Sequence, residues 1–392
     1  MRSYLSVMIA INGCCLLAYI LFVSTLPMKR VSLVVASISS KNWTIEVRND
    51  QRLIRLHEQY ASLVNLTALK TTFPSNKTMI YSCRSFCGGW GDRLRGILSA
   101  YALSILSRRR FMIDMHYPCP ILDVLQPNII NWTYTEPDRS MNRTRLTINT
   151  MPSWQTKHSA EINAMIKSKN FVQAWSSYDD IFISTNSDYM MLAFRNDHLL
   201  NETRALLGRL PVSQLIMQTL FALIFELLFK PASKVIQRVN AVLAASLHRD
   251  LICFHIRIGK NANNPYDHAF TARANTSQAM IRFTDTHLSN KSSFIIFVTS
   301  DSGQAVSDVL HHYPTSSMTV VGPVLHIDRF DRQSPMLADG FVKVIADFYL
   351  LGECHTSLLS TSGFSAWANR RRKTPQERLY FFNEKLGEIR KA

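Results

Sequence analysis

Leu251-Ile252-Cys253-Phe254-His255-Ile256-Arg257-Ile258-Gly259-Lys260-Asn261 is the stretch whose reading decides the fold. It alternates with period two, which predicts a strand: Phe254, Ile256 and Ile258 fall on one face, Cys253, His255 and Arg257 on the other. Gly259 ends the run, and Lys260, Asn261, Asn263, Asn264 and Pro265 make a polar turn. An arginine at the carboxyl end of a parallel strand, beside a glycine that lets backbone approach a ligand, stands where open α/β sheets bind nucleotides. Two readings follow: Arg257 holds a phosphate, or it is a strand-end cation paired to a local carboxylate.

Downstream strand ends share this character. Phe294-Ile295-Ile296-Phe297-Val298-Thr299-Ser300-Asp301 is continuously apolar, like a strand buried on both faces, and closes on Ser300 and Asp301. Val320-Val321-Gly322-Pro323 predicts a third, shorter strand. A helix around Gly340 to Leu351 leads to Ser357-Leu358-Leu359, which runs into Ser360, Thr361, Ser362, Gly363, Phe364 and Ser365 before a helix through Trp367. Hydroxyls and free N–H groups at a helix start make an anion site, whereas plain N-capping explains one serine.

Upstream, Leu215 to Phe229 carries a single charge, Glu226, and is too short to span a bilayer, so it predicts a buried helix. Pro231 follows, then a helix with Val235, Val239, Val242, Leu243 and Leu247, the pair bridging two domains. Met79 to Ser82 is a strand, Leu94, Ile97, Leu98, Tyr101 and Ile105 recur at helical spacing, and Phe111 to Asp114 is the next strand. A further strand is expected at Ile181 to Ser184. Strand, glycine loop, helix, strand is the start of a doubly wound domain. Gly89 and Gly91 with Asp114 suggest a dinucleotide fingerprint, but Leu94 stands where the third glycine belongs, which argues against a dehydrogenase. Asp92 either caps the helix or reaches a sugar hydroxyl.

The 392 residues, 47% apolar, suffice for two domains with their own cores. With 44 Lys and Arg against 28 Asp and Glu, the net charge of +16 implies an anionic partner. A nucleoside diphosphate, an anionic glycan or a membrane surface fits, and no nucleic-acid-binding motif is present.

Leu5 to Leu26 holds no charge over about 22 positions, enough for a signal anchor. Arg2 on one side, and Lys29 and Arg30 on the other, leave orientation open. N-x-Ser/Thr sites at Asn42, Asn65, Asn76, Asn131, Asn142, Asn201, Asn275 and Asn290 place the body in a lumen. Cys253 reads as core, while Cys83, Cys87, Cys119 and Cys354 can form up to two disulfides, with zinc the rival at Cys83 and Cys87. The organisation expected is a tail at 1–4, an anchor at 5–26, a stem at 27–78 and domains at 79–235 and 236–392.

Together these motifs resemble the GDP-fucose fucosyltransferase superfamily, over roughly residues 79–370, through short motifs. Phe254-His255-Ile256-Arg257-Ile258-Gly259 looks like its His-x-Arg motif, whose arginine holds the donor β-phosphate; the Ile-Gly form is similar to protein O-fucosyltransferases. Gly89-Trp90-Gly91-Asp92-Arg93 resembles the glycine loop of plant-type and α1,2 glycan enzymes. Val298 to Asp301 and Ser360 to Ser365 look like the second and third donor motifs. Many relatives carry Asn at the place of Asp92, and several glycan enzymes a second Arg at that of Ile258.

The resemblance implies two facing Rossmann-like domains of GT-B type, GDP-fucose as donor and inverting transfer. The donor-site residues it implies are Gly89, Gly91, His255, Arg257, Lys260, Ser300, Asp301 and Ser360 through Phe364. No Asp-x-Asp pair exists in the chain, so transfer without a metal is expected, with Arg257, Lys260 and the Ser362-Gly363 backbone on the leaving pyrophosphate. Asp92 is the candidate base, with His255 or a relayed water as alternatives. The main reading is a single-pass type II Golgi membrane enzyme acting on an oligosaccharide or glycoprotein. Protein O-fucosylation is the rival, as is a non-catalytic lumenal protein binding GDP or an anionic glycan through a basic surface that includes Arg370 to Lys373.

Overall fold

Phe294 to Ser300 is buried along its whole length, as a strand covered on both faces must be, and the strands beside it organise the carboxyl half of the chain. The computed structural model describes residues 44–392 except 74–75, 86, 137–141, 152–156, 212, 214–216, 260–269, 289–293 and 329–333. The expected tail and anchor, Lys260, Asn42 and Asn290 lie outside the described residues. Among the described residues no helix is long and apolar enough to cross a membrane.

The described strands are β1 (Thr78–Cys83), β2 (Arg110–Met115), β3 (Leu125–Pro127), β4 (Arg145–Asn149), β5 (Asp180–Ser184) and β6 (Phe229–Pro231), followed by β7 (Asp250–Ile256), β8 (Phe294–Ser300), β9 (Ser317–Met318), β10 (Thr356–Leu359), β11 (Leu379–Asn383) and β12 (Glu388–Lys391). One sheet is parallel in the order β2-β1-β5-β4; the other runs β12-β11-β10-β7-β8-β9, parallel except for β12; β3 and β6 pair separately. In the larger sheet the chain steps from β7 to β8 and β9 on one side, then returns to β10 on the other. The strand order therefore reverses at β7, and a crevice opens there at the carboxyl ends.

The alternation read from sequence holds: Phe254 and Ile256 join one apolar cluster, with Ile258 packed against it, and Cys253 the other. The strand itself stops at Ile256, leaving Arg257 in the turn, where Gly259 takes φ +79°. The third strand was expected too late. Ser317–Met318 pairs with β8, whereas Val321 is 82% exposed, Gly322 has φ +137° and Pro323 offers no N–H to a ladder.

Helix Met217–Leu228 is buried as expected, and Phe221 stacks on Trp367 at 4.6 Å. The next helix, Ser233–Ala245, stops short of Leu247. The stem reading fails over its second half. Helix Ile45–Tyr60 buries Ile45, Asn49, Arg52, Leu56 and Tyr60 on the body. Arg52 donates to Glu353 and lies 3.4 Å from Glu226, and Arg371 reaches Glu226 at 2.9 Å. Burial opposes the charge of Arg52, but Glu353 and Glu226 outweigh it and hold the guanidinium above its ordinary pKa. Arg371 and Arg372 are buried, so of the expected basic surface at 370–373 only Arg370, half-buried, and Lys373, exposed, reach solvent.

Candidate active site

The register sets the carboxyl ends of β10, β7 and β8 level: His255 lies opposite Leu359 on one side and Thr299 on the other. Serines stitch these ends together. The Arg257 N–H donates to Ser360 Oγ at 2.7 Å, the Ser360 N–H to the His255 carbonyl at 2.9 Å, and Ser300 Oγ to the Ile256 carbonyl at 2.7 Å. Ser360 and Ser300 are thus buried and hold the turn that carries Arg257.

Asp301 completes that turn. It accepts from Arg257 Nη1, from the Ile258 N–H at 2.9 Å and from the Gly259 N–H at 2.8 Å. The two readings of Arg257 are compatible: the carboxylate orients a guanidinium that has five N–H donors, while the arginine still lines the cleft.

The cleft encloses about 330 Å³. Gly89, Gly91 and Asp92 line it from the glycine loop, and His255, Arg257, Ser300 and Asp301 from β7 and β8. Ser362, Gly363 and Phe364 line it from the start of helix Gly363–Arg370. Thr361 is exposed and contributes its carbonyl to Arg273 at 3.1 Å, so its side chain is not among the lining groups. The halves touch at Gly91, where a Cβ would stand 2.7 Å from the Gly363 carbonyl carbon. No side chain caps helix Trp90–Leu106, whose N-cap is Gly89; Asp92 sits in its first turn, facing the cleft.

Sequence reasoning missed the cleft floor. Thr299 Oγ1 and Lys343 Nζ both donate to Asp347 Oδ2 at 2.7 Å, while the buried Oδ1 has no hydrogen-bond partner among the described residues. Burial raises the Asp347 pKa against the pull of Lys343. Asp347 and Lys343 are i, i+4 on helix Leu337–Leu351, which reads as a core helix; a Lys four residues before an Asp was the available signal. His255 stacks on Phe364 at 5.5 Å, and burial, then Arg257 and Arg273, lower its pKa to about 3. A ring whose pKa is held that low is neutral near neutrality and a weak proton acceptor, which favours a carboxylate over His255 as the base.

Arg273 was overlooked, and Arg93 was read only as the last residue of the glycine-loop motif. Arg273 pairs with Glu384 at 2.8 Å and lies 4.2 Å from the Phe270 ring, whose other neighbour is Arg257 at 5.8 Å. Arg93 is fully buried, donating to the Gly88 carbonyl at 2.9 Å and the Ile327 carbonyl at 2.8 Å. It thereby ties the glycine loop to the segment from Val324 to Asp328 along the cleft wall.

Two disulfides form, within the number expected, and the departure from expectation is Cys253, which is bonded and not a free core thiol. Cys83 bonds Cys87, which removes the zinc alternative there, and Cys253 bonds Cys354 across a separation of 101 residues, leaving Cys119 without a disulfide among the described residues. Cys354 precedes β10, the immediate neighbour of β7, so the two meet although one lies in an apolar strand.

No family model matches the chain, and no curated protein matches it by sequence. Solved structures do. A point mutant of Arabidopsis thaliana FUT1 in complex with GDP superposes with TM-score 0.54 at 12% identity, over 86% of this chain and 78% of the other. The α1,6-fucosyltransferase NodZ of Bradyrhizobium, soaked with GDP-fucose, gives TM-score 0.50 at 17% identity, over 80% and 98%. The chain therefore has the fold of these fucosyltransferases.

Proposed function

We propose that the chain is a GDP-fucose-dependent fucosyltransferase that transfers fucose to a glycan acceptor without a metal and with inversion. The observation that carries the reading is the convergence on one cleft of the Arg257 turn, the Asp301 strand end, the Ser362-Gly363 helix start and the Gly91 loop. In this reading Arg257 and the N–H groups opening helix Gly363–Arg370 face the donor pyrophosphate. The bond between fucose C1 and the β-phosphate oxygen breaks, the electron pair leaves with GDP, and the acceptor oxygen bonds C1 from the opposite face. The acceptor proton passes to a carboxylate, for which Asp92 is the candidate, directly or through water. In the same reading Asp347, at the cleft lining, faces the base of the donor, and His255 on Phe364 gives a flat wall.

The proposed setting is the Golgi lumen, with residues 5–26 as a type II anchor. The described sequon residues Asn65, Asn76, Asn131, Asn142, Asn201 and Asn275 support it, since all are exposed. The test is donor turnover by the full chain in detergent with chelator present, comparing GDP-fucose, GDP-mannose and UDP-sugars on glycan and on unglycosylated protein acceptors. GDP release from GDP-fucose alone is expected. A strict manganese requirement, or no GDP-fucose turnover, overturns the proposal; transfer to protein alone replaces the glycan acceptor.

A further inference from the structure

A second cavity, of about 420 Å³, lies at the opposite end of the larger sheet, between helix Ile45–Tyr60 and the amino ends of β10 and β11. It is separated from the cleft by the length of β7, roughly 20 Å for a seven-residue strand. Five cationic side chains line it against two carboxylates, Glu353 and Glu377. Glu353 is engaged by Arg52 and by Arg48 at 3.3 Å, and Arg378 reaches Asp250 at 3.2 Å. Among the described residues no hydrogen bond or ion pair within 4 Å engages the side chain of Arg55 or Lys373, and Glu353 and Glu226 act on Arg55 only from farther off. Arg55 is half-buried, and burial, then the charge of Arg52 beside it, lower its pKa against the weaker pull of Glu353 and Glu226. A cation held in that position gains from an incoming anion more than a solvated surface lysine does.

His355 adds a neutral donor. Its Nδ1 accepts the Leu251 N–H at 2.9 Å, which assigns the ring proton of the neutral form to Nε2. Thr374 adds a hydroxyl to the lining. Guanidinium, ammonium, imidazole N–H and hydroxyl around one cavity is the donor set that a tetrahedral oxyanion takes.

We propose that this cavity is a binding site for a phosphate or sulfate ester group, separate from the cleft, with Arg55 and Lys373 as its principal ligands. The group can arrive on a free phosphate compound or on a sulfated glycan, and the two sources are distinguished by titration. Calorimetry on the full chain in detergent, with the cleft saturated by GDP, uses inorganic pyrophosphate in one arm and a sulfated hexasaccharide in the other. One site is expected to persist under GDP, and to weaken at least tenfold, as the measure of the site, in Arg55→Gln/Lys373→Gln. Tighter binding in the pyrophosphate arm identifies a phosphate compound, and in the hexasaccharide arm a sulfated glycan. The variant should keep its melting temperature and its GDP affinity, since neither side chain touches the cleft. Loss of both arms under saturating GDP, or undiminished binding by a folded double variant, overturns the proposal. If that variant fails to fold, Lys373→Gln alone, at an exposed position, must still weaken the site.

Discussion

Asp301 holds Arg257 at the side chain and at the turn behind it, pairing with Nη1 and taking the N–H groups of Ile258 and Gly259. The arginine is thereby fixed before any ligand arrives. Pre-orientation of this kind lowers the ordering cost of binding a pyrophosphate. Arg257→Ala is expected to lower kcat/KM for GDP-fucose by about 100-fold or more, and Arg257→Lys to recover only part, because the planar fork is lost while the charge stays. Asp301→Asn keeps an acceptor for one N–H and removes the ion pair, so its loss should be smaller, about tenfold. Steady-state kinetics on the three variants checks the order; Arg257→Ala at wild-type rates would reduce the turn to a structural feature.

Gly91 is where the two halves meet without room for a side chain. A Cβ there would lie 2.7 Å from the Gly363 carbonyl carbon and 2.9 Å from the Phe364 nitrogen, both backbone atoms. Gly91→Ala must push the glycine loop off the helix start that faces the pyrophosphate. The expected outcome is a stability loss of about 1–3 kcal/mol together with weaker GDP binding. Gly303→Ala is the control, since nothing stands within 4 Å of its Cβ. Denaturant unfolding and GDP calorimetry decide: equal behaviour of the two variants would mean that the loop yields freely.

Arg257, Ser300, Asp301, Ser362, Gly363 and Phe364, which line the cleft, stood out in the sequence because each ends an apolar run with polar or glycine punctuation, a local pattern; Ser360 and Thr361 share the pattern without lining it. The cleft floor was not. Asp347 stands inside a helix whose other faces are apolar, and only packing against Thr299 makes it part of a site. Cys253 was hidden for the same reason, its partner lying 101 residues away. Helix Ile45–Tyr60 looked like stem because its buried face carries Asn49 and Arg52, whose counter-charges sit on distant elements. Charge runs mislead in the same way: Arg371 and Arg372 read as surface until Glu226 and the carbonyls that hold them are in view.

His255 supplies a pH dependence of defined sign. Burial and the charges of Arg257 and Arg273 hold its folded pKa at about 3, against 6.5 for the free ring. Between those values the unfolded chain binds one more proton, so this group erodes stability as pH falls below about 6.5 and has no effect above it. The limiting slope is about 1.4 kcal/mol per pH unit. His255→Gln removes it, so the wild type should lose about 2 kcal/mol relative to the variant on going from about pH 7 to about pH 5. His57 and His355, also lowered by burial, titrate in both proteins and cancel. Parallel stability curves would show that the ring protonates in the folded state.

Glu226 is the one charge in helix Met217–Leu228, and two buried arginines converge on it, Arg371 at 2.9 Å and Arg52 at 3.4 Å. The guanidinium of Arg371 also lies 4.2 Å from the Tyr349 ring and 4.9 Å from that of Phe225, so it has no path to water. Removing the carboxylate leaves two cations to share Glu353, which Arg52 already occupies. Glu226→Gln should therefore destabilise the fold by about 3–5 kcal/mol, the range for breaking a buried pair from one side. The companion change tests whether charge is the cause: Glu226→Gln/Arg371→Met removes one cation with the anion and should recover part of the loss, since a methionine fills much of the arginine stem's volume. Denaturant unfolding of the three proteins checks this. A double variant no more stable than Glu226→Gln would assign the effect to packing around Phe225 and Tyr349 instead.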